Sequence, residues 1–330
     1  MSRIAILGAG AYGTALAISL ARRGGHDLCL WAHSQKLAEY LTDTGENLPY
    51  LPGFTLPADV KVTNDLPAAI FEADIILCVT PSQHLRETIT HIAPILTRNQ
   101  VIMSASKGIE DNSFLRMSQV VGSIVKNPFA ALSGPSFAHE VAQGAPSAVV
   151  IATTESSLAQ SLQRDFTSPS LRIYTNDDVT GVELGGALKN VIALAAGVVH
   201  GLHLGNNSAA ALITRGIAEI TRLAVACGGR RQTLAGLSGI GDLVLTCTGS
   251  RSRNRTVGIE LGQGRSLTSI IAGLNGQVAE GVRSTTAALG LARRYGVEMP
   301  ITEQMHAILY EEKSPREAMN DLMSRPGREE

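Results

Sequence analysis

A chain of 330 residues exceeds the ~100–200 residues of one typical domain, so two domains are expected. Its 28 basic and 29 acidic residues leave a formal net charge of −1, without the basic excess of a nucleic-acid binder, so phosphate chemistry here has to be local. Cys29, Cys78, Cys227 and Cys247 form no C-x-x-C pair and no zinc spacing, so no metal site is expected and a reducing cytoplasm is the expected compartment.

Behind Arg3, residues 4–21 are uncharged and superficially match a signal peptide or a membrane span. Gly8, Gly10, Tyr12, Gly13 and Thr14 interrupt that stretch, so residues 4–7 read as a buried strand and 13–23 as a helix. No other uncharged apolar segment approaches ~18–20 residues, and a soluble protein without a membrane span is expected. Apolar runs at 28–31, 75–80, 101–106, 130–133, 148–152 and 172–174 predict further strands, with helical patterns at 83–96 and 113–125. Such alternation predicts βαβ units in a mainly parallel sheet covered on both faces. From about residue 182 the character changes to Ala/Leu/Ile-rich segments of helical period, at 187–200, 208–227, 267–272, 285–295 and 303–311. The expected fold class is α/β: a Rossmann-like doubly wound parallel sheet over residues 1–180, binding a dinucleotide, then a mostly α-helical substrate and catalytic domain over 181–330. Residues 325–330 read as a disordered tail.

Gly8-Ala9-Gly10-Ala11-Tyr12-Gly13 matches G-x-G-x-x-G directly after a strand and at the start of a helix. The first glycine permits the turn, the second lets backbone approach a pyrophosphate, and the third lets helix and strand close together. A glycine turn without a ligand is the alternative. An NAD-binding turn is followed, about 20 residues on, by an acid for the ribose 2′-hydroxyl. Here the second strand ends at Trp31-Ala32-His33-Ser34, with no acid. His33 and Ser34 could hydrogen-bond a 2′-phosphate, so NADPH is expected to serve as well as NADH; a plain surface histidine is the alternative.

Lys107 follows the run at 101–106, at the carboxyl end of an expected parallel strand, and Ser133-Gly134-Pro135-Ser136 follows a later one. Ordinary turns with an exposed lysine are the alternative. Lys189 lies in a helical stretch whose same face continues with Ile192, Ala193 and Ala196. With no polar neighbour on that face, burial disfavours its ammonium and brings it toward proton-transfer chemistry, where it can protonate the alkoxide formed from a ketone. On that reading Lys189→Met leaves stability unchanged or raised. An ion-paired or snorkelling lysine is the alternative. Finally, Ser250-Arg251-Ser252-Arg253-Asn254-Arg255 supplies forked donors suited to a phosphate monoester.

The segments GAGAYGTALA from Gly8, SKGIE from Ser106, SGPSFAHE from Ser133, GVELGGALKNVIA from Gly181, GIGDLVLTCT from Gly239, SRNR from Ser252, GQVAEG from Gly276 and GVEMPIT from Gly296 resemble the bacterial NAD(P)-dependent glycerol-3-phosphate dehydrogenases over nearly the whole chain. The resemblance implies interconversion of dihydroxyacetone phosphate and sn-glycerol 3-phosphate with NAD or NADP, supplying phospholipid synthesis, in a cytoplasmic, homodimeric enzyme. It implies Lys189 as general acid/base, and substrate contacts from Lys107, Gly134, Ser136, Lys189, Asp242, Ser252, Arg253 and Asn254. It implies cofactor contacts from Gly8, Gly10, Ala11, Tyr12, Gly13, His33, Lys107, Ala138, Arg253, Val278 and Glu280, with the nicotinamide over a crevice between domains. Ala11 departs from the serine common in the family, and Ile240 from the commoner leucine. A β-hydroxyacid dehydrogenase or ketopantoate-type reductase, or a non-catalytic dinucleotide sensor, are the alternatives. Neither a carboxylate substrate nor a sensor accounts for the donors of Ser252-Arg253-Asn254 together with Lys107 and Lys189.

Overall fold

The computed structural model describes residues 1–273 and 279–327. By contact density the chain forms two compact units: residues 1–107 with 115–183, and residues 108–114 with 184–330. The division drawn from sequence at 180/181 therefore shifts by three residues. It also gains an excursion, because Ile109 is buried in the helical core and Phe114 packs against it.

In the first unit eight strands form one sheet: β1 (Ser2–Leu7), β2 (His26–Trp31), β3 (Val60–Thr63), β4 (Ile75–Cys78), β5 (Val101–Ser104), β6 (Phe129–Ser133), β7 (Ser147–Ala152) and β8 (Leu171–Asn176). Their order is β3-β2-β1-β4-β5-β6-β7-β8, parallel throughout except for the antiparallel pair β6–β7. Side-chain alternation along β1 explains the layers. Ile4 and Ile6 enter the core on one face, with Leu16 and Leu20 of the Ala11–Arg23 helix. Ala5 and Leu7 enter the core on the other, with Leu85, Ile89 and Ile92 of the Leu85–Ile92 helix. A sheet buried on both faces reads in sequence as continuous apolar runs, which is why six of its strands were visible there, while the edge strand β8 alternates buried Leu171 and Ile173 with exposed Arg172 and Tyr174. The missing one, β3, has four residues and carries Lys61 outward.

Helices Gln35–Thr44, Ala138–Gln143 and Ser156–Phe166 were also not anticipated. Their exposed faces are polar and weaken the hydrophobic signal. The helix expected at 113–125 contracts to Met117–Gly122, because Asn112 and Phe114 adopt positive φ and Arg116 starts the helix. The pattern at 83–96 resolves into Leu85–Ile92 flanked by two short 3₁₀ turns.

Among the described residues the second unit contains no strand. Its centre is Val179–Gly201, whose first turn belongs to the first unit. By length and composition this helix could cross a membrane, yet its apolar stretch is entirely buried inside the protein, as a core helix is. Gly197 and Gly201 lie against Gly258 and Gly262 of the Arg253–Gly262 helix. A Cβ at Gly258 would sit 2.0 Å from the Leu194 carbonyl oxygen, and one at Gly197 2.1 Å from that of Arg255. The two helices thus touch backbone to backbone, which fixes the start of the second beside Asn190 of the first.

Glu219 is fully buried and accepts hydrogen bonds from Ile301 N–H, Thr302 N–H and the Thr302 hydroxyl at 2.9, 3.0 and 2.6 Å. Burial pushes its carboxyl up, and these three donors oppose that shift. It thereby serves as the N-terminal cap that the Pro300–Tyr310 helix takes from another element.

Candidate functional site

In the first unit, β1 turns into the Ala11–Arg23 helix through Gly8, which sits at φ 122°. A Cβ at Gly13 would fall 1.9 Å from the Gly8 carbonyl oxygen, so only glycine lets the helix close on the turn. A Cβ at Gly10 would meet nothing within 4 Å, leaving open space where a ligand's phosphates could approach backbone. The helix has no side-chain cap and no acid in its first turn. Its N-terminal N–H groups and positive dipole end are suited to an anion. The turn therefore fits the pyrophosphate of a dinucleotide.

Ala11 and Tyr12 open this helix, and Tyr12 reaches the carboxyl ends of β5 and β6. Its phenol shares a 2.9 Å hydrogen bond with the Ser136 hydroxyl. The Gly134 carbonyl accepts from Ser136 Oγ at 3.0 Å and from Lys107 Nζ at 2.9 Å. Lys107 Nζ also stands 6.0 Å from the Tyr12 ring centroid. Gly134 has φ 134°, and a Cβ there would come within 3.0 Å of Val149 Cα. Ala138 begins the Ala138–Gln143 helix, which packs against Ala11–Arg23. Gly8, Gly10, Ala11, Tyr12, Gly13, Lys107, Gly134, Ser136 and Ala138, singled out from separate motifs, thus follow the carboxyl ends of β1, β5 and β6 in one sheet.

His33 lies just past β2, exposed, edge-on to Trp31 at 5.7 Å. The Ser34 hydroxyl caps the Gln35–Thr44 helix by accepting from Leu37 N–H at 3.4 Å. That helix also lacks an acid in its first turn, so the acid missing from the sequence is not replaced there by a neighbour.

In the second unit Lys189 is buried, with Nζ 2.5 Å from Asp242 Oδ1 and 2.8 Å from Thr246 Oγ1. Thr246 in turn donates to the Asp242 backbone carbonyl at 2.6 Å. The expectation of a lysine without polar neighbours is therefore corrected. Its own helical face is apolar, but the Asp242–Thr248 helix brings a carboxylate and a hydroxyl to it. The carboxylate stabilises the charged ammonium, and Asp242, expected as a substrate contact, has one oxygen on Lys189. Burial pushes the neighbouring Cys247 thiol up to about 12.

Ser252-Arg253-Asn254, expected as donors suited to a phosphate monoester, form the start of a helix. Ser252 Oγ caps Arg253–Gly262 by accepting from Arg255 N–H at 3.2 Å, and no acid lies in the first turn. Arg253 is exposed at the first helical position. The carboxamide of Asn254 donates to Asn190 Oδ1 at 3.0 Å and accepts from Gly281 N–H at 2.9 Å. These contacts tie the helix start to the residue next to Lys189. Glu280 opens the Glu280–Tyr295 helix, half-buried, and Val278 lies outside the described residues. Among the described residues no group of three or more His, Cys, Asp or Glu side chains could hold a metal.

Thr246, Asn190 and Asn47 were not anticipated. Asn190 adjoins Lys189, and Thr246 lies four residues after Asp242 on one helical face, so that spacing was the available signal. Asn47 sits in an irregular loop and gave none.

The model of the NAD-dependent glycerol-3-phosphate dehydrogenase N-terminus matches residues 3–159, and that of its C-terminus matches residues 178–320. The chain belongs to the NAD-dependent glycerol-3-phosphate dehydrogenase family. Across its whole length it is 59% identical to the whole of a glycerol-3-phosphate dehydrogenase (NAD(P)+) of Acidobacterium capsulatum. A relative of the same name from Koribacter versatilis is 56% identical over 99% of this chain and 98% of its own. The crystal structure of a glycerol-3-phosphate dehydrogenase from Coxiella burnetii superposes with a TM-score of 0.94 at 41% identity, covering 98% of this chain and 99% of that one. In this family setting the motif departures at Ala11 and Ile240 leave the local geometry intact: Ala11 still opens its helix, and Ile240 still packs on the helical core.

Proposed function

We propose that this NAD(P)-dependent oxidoreductase interconverts dihydroxyacetone phosphate and sn-glycerol 3-phosphate, with Lys189 exchanging a proton with the substrate oxygen. The observation that carries this reading is the buried Lys189–Asp242–Thr246 cluster, one residue from the Asn190–Asn254 contact that begins the Arg253–Gly262 helix. That helix start offers N–H groups, the positive dipole end and Arg253 to a phosphate, holding it as a positioning anchor. Ser252 and Asn254 fix the anchor through the cap and the carboxamide contacts. Lys189 is held in place by Asp242 and Thr246, and can give its proton to the oxygen of a ketone and recover it in the reverse direction.

In the first unit, Gly8, Gly10, Ala11, Tyr12 and Gly13 would hold the cofactor's pyrophosphate, with His33 at its ribose end and Lys107, Gly134, Ser136 and Ala138 beyond the strand ends. When bound, the reduced nicotinamide supplies a hydride for the ketone carbon. In our reading Glu280 and Val278 add to the cofactor contacts. The enzyme works in the cytoplasm as a homodimer and feeds phospholipid synthesis; that none of its cysteines is in a disulfide accords with such a compartment.

The test is cofactor oxidation followed by absorbance with dihydroxyacetone phosphate, ketopantoate and a 3-keto acid in parallel. Turnover is expected with the phosphorylated ketone. Faster turnover of an unphosphorylated keto acid would transfer the assignment to the hydroxyacid class, and cofactor binding without any turnover would leave a sensor.

A further inference from the structure

Beneath the glycine turn lies a side chain that neither the catalytic nor the phosphate contacts use. Asn47 is fully buried, and its Nδ2 donates to the Ala9 carbonyl at 2.9 Å and to Thr14 Oγ1 at 2.7 Å. The atom facing Ala9 has to be the nitrogen, since a carbonyl oxygen there would oppose another acceptor. Its Oδ1 is buried and has no hydrogen-bond partner among the described residues. A buried, unpaired carbonyl oxygen costs stability, so packing alone does not favour an asparagine at this position.

The geometry gives the donor side a purpose. Ala9 lies between Gly8 and Gly10, and a trans peptide points its carbonyl and the next residue's N–H in opposite directions. Holding the Ala9 oxygen therefore turns the Gly10 N–H away from Asn47. Thr14, itself fully buried, ties the first turn of the helix to the same carboxamide. Asn47 is in turn held by its loop. Leu51 and Leu56 are buried in the sheet's core, Leu56 N–H donates to the Gly45 carbonyl at 2.6 Å, Glu46 bridges Thr55, and Gly53 N–H donates to Glu46 Oε1 at 2.6 Å.

We propose that Asn47 is a positioning residue for the dinucleotide: it sets the Ala9–Gly10 peptide plane and the helix start, so that backbone N–H groups meet the pyrophosphate preorganised. This rests on the reading of the glycine turn as the cofactor site. Both hydrogen bonds are lost in Asn47→Ala, and the one to the hydroxyl in Thr14→Val, while Thr14→Ser keeps it.

The experiment titrates NADPH by its fluorescence on each folded variant, then measures kcat and the KM for dihydroxyacetone phosphate at saturating cofactor. Asn47→Ala is expected to weaken NADPH binding about tenfold or more and Thr14→Val severalfold, with Thr14→Ser near wild type and kcat and ketone KM little changed. If Asn47→Ala does not fold, Thr14→Val against Thr14→Ser decides. Wild-type NADPH affinity in Asn47→Ala or Thr14→Val, with only a lower melting temperature, would make Asn47 a structural residue and overturn the proposal. Gly10→Val, with its folding checked by melting temperature, is the control, because an added Cβ would lie in the open space where a ligand's phosphates would approach. Loss of NADPH binding there, with normal binding in the Asn47 and Thr14 variants, sinks this proposal alone. Normal binding in Gly10→Val removes the turn as the cofactor site and both readings with it.

Discussion

Around the glycine turn, polar contacts are made at the strand ends by backbone carbonyls, hydroxyls and one half-buried lysine. Around Lys189 they are made inside a helical core, by an ammonium and a carboxylate that both avoid water. The first arrangement takes no ion pair out of solvent, and its one costly member is the buried Asn47 carboxamide beneath the turn. The second takes two charges out of solvent, so each depends on the other. A half-buried strand end suits a ligand that must enter and leave, while a desolvated pair suits a group that has to hold a proton in one place.

Removing one charge from each cluster separates them most sharply. Asp242→Asn leaves the Lys189 ammonium buried without its carboxylate, and should cost about 3–5 kcal/mol of stability by denaturant titration, along with most activity. Lys107→Met, at the half-buried strand end, removes a hydrogen bond to the Gly134 carbonyl and should cost less, about 1–2 kcal/mol. Equal losses in the two variants would erase the distinction.

Next in size is the phosphate anchor. Arg253 is exposed, so Arg253→Ala should leave the unfolding midpoint near wild type. The KM for the phosphorylated ketone should rise about 10- to 150-fold, as expected for a charge-assisted contact of ~1.5–3 kcal/mol. An unchanged KM would remove Arg253 from substrate binding and weaken the reading of the helix start as an anion site.

The two clusters also differ in how far they could be read from residues alone. The strand-end cluster is constrained locally. Gly8 and Gly13 must be glycine for backbone conformation and close approach, Gly10 leaves open space at the turn, and Lys107 and Ser136 follow strands whose apolar runs are unbroken. The helical cluster is constrained at a distance: Lys189 meets Asp242 and Thr246 across 53 and 57 residues of sequence. Periodicity around Lys189 reports only its own helix, so the lysine looked isolated. For the same reason the donors Ser252-Arg253-Asn254 showed no sign of opening a helix. The cap is a single serine, and the packing that seats the helix comes from Gly258 and Gly262 against Gly197 and Gly201. In the first unit β3 and Asn47 stayed hidden, the strand for its four residues and the asparagine because a buried polar contact leaves no periodic trace.

A smaller effect concerns the coenzyme. With no acid at the end of β2 or in the first turn of Gln35–Thr44, NADH and NADPH should both support turnover in steady-state assays. Turnover with NADH alone at saturating concentrations of each would contradict the assigned role of His33.

The smallest response is expected from the thiols. Burial pushes Cys78 and Cys247 up to about 12, because it disfavours the thiolate. Their thiolate fraction at pH 8 is then about 10⁻⁴, rising only as pH approaches 12. Alkylation of the native enzyme at pH 8, followed by mass spectrometry, should leave both unmodified and activity intact. Rapid modification of Cys247 would show that the helix beside Lys189 is more open than its burial indicates.

The central claim is that Lys189 is the proton donor, and the ion pair changes how it must be tested. Lys189→Met strands the Asp242 carboxylate, so a lower midpoint is now expected in place of the unchanged or higher one that an isolated lysine predicted. Lys189→Met combined with Asp242→Leu removes both charges and should restore much of the midpoint. The decisive measurement is kcat of the single and double variants at saturating ketone and cofactor, beside NADPH affinity and the midpoint. With NADPH affinity near wild type, kcat should fall by about 10²–10⁴ in both, and recovery of stability should bring no recovery of rate. A double variant that regains stability and turns over at the wild-type rate would contradict the claim.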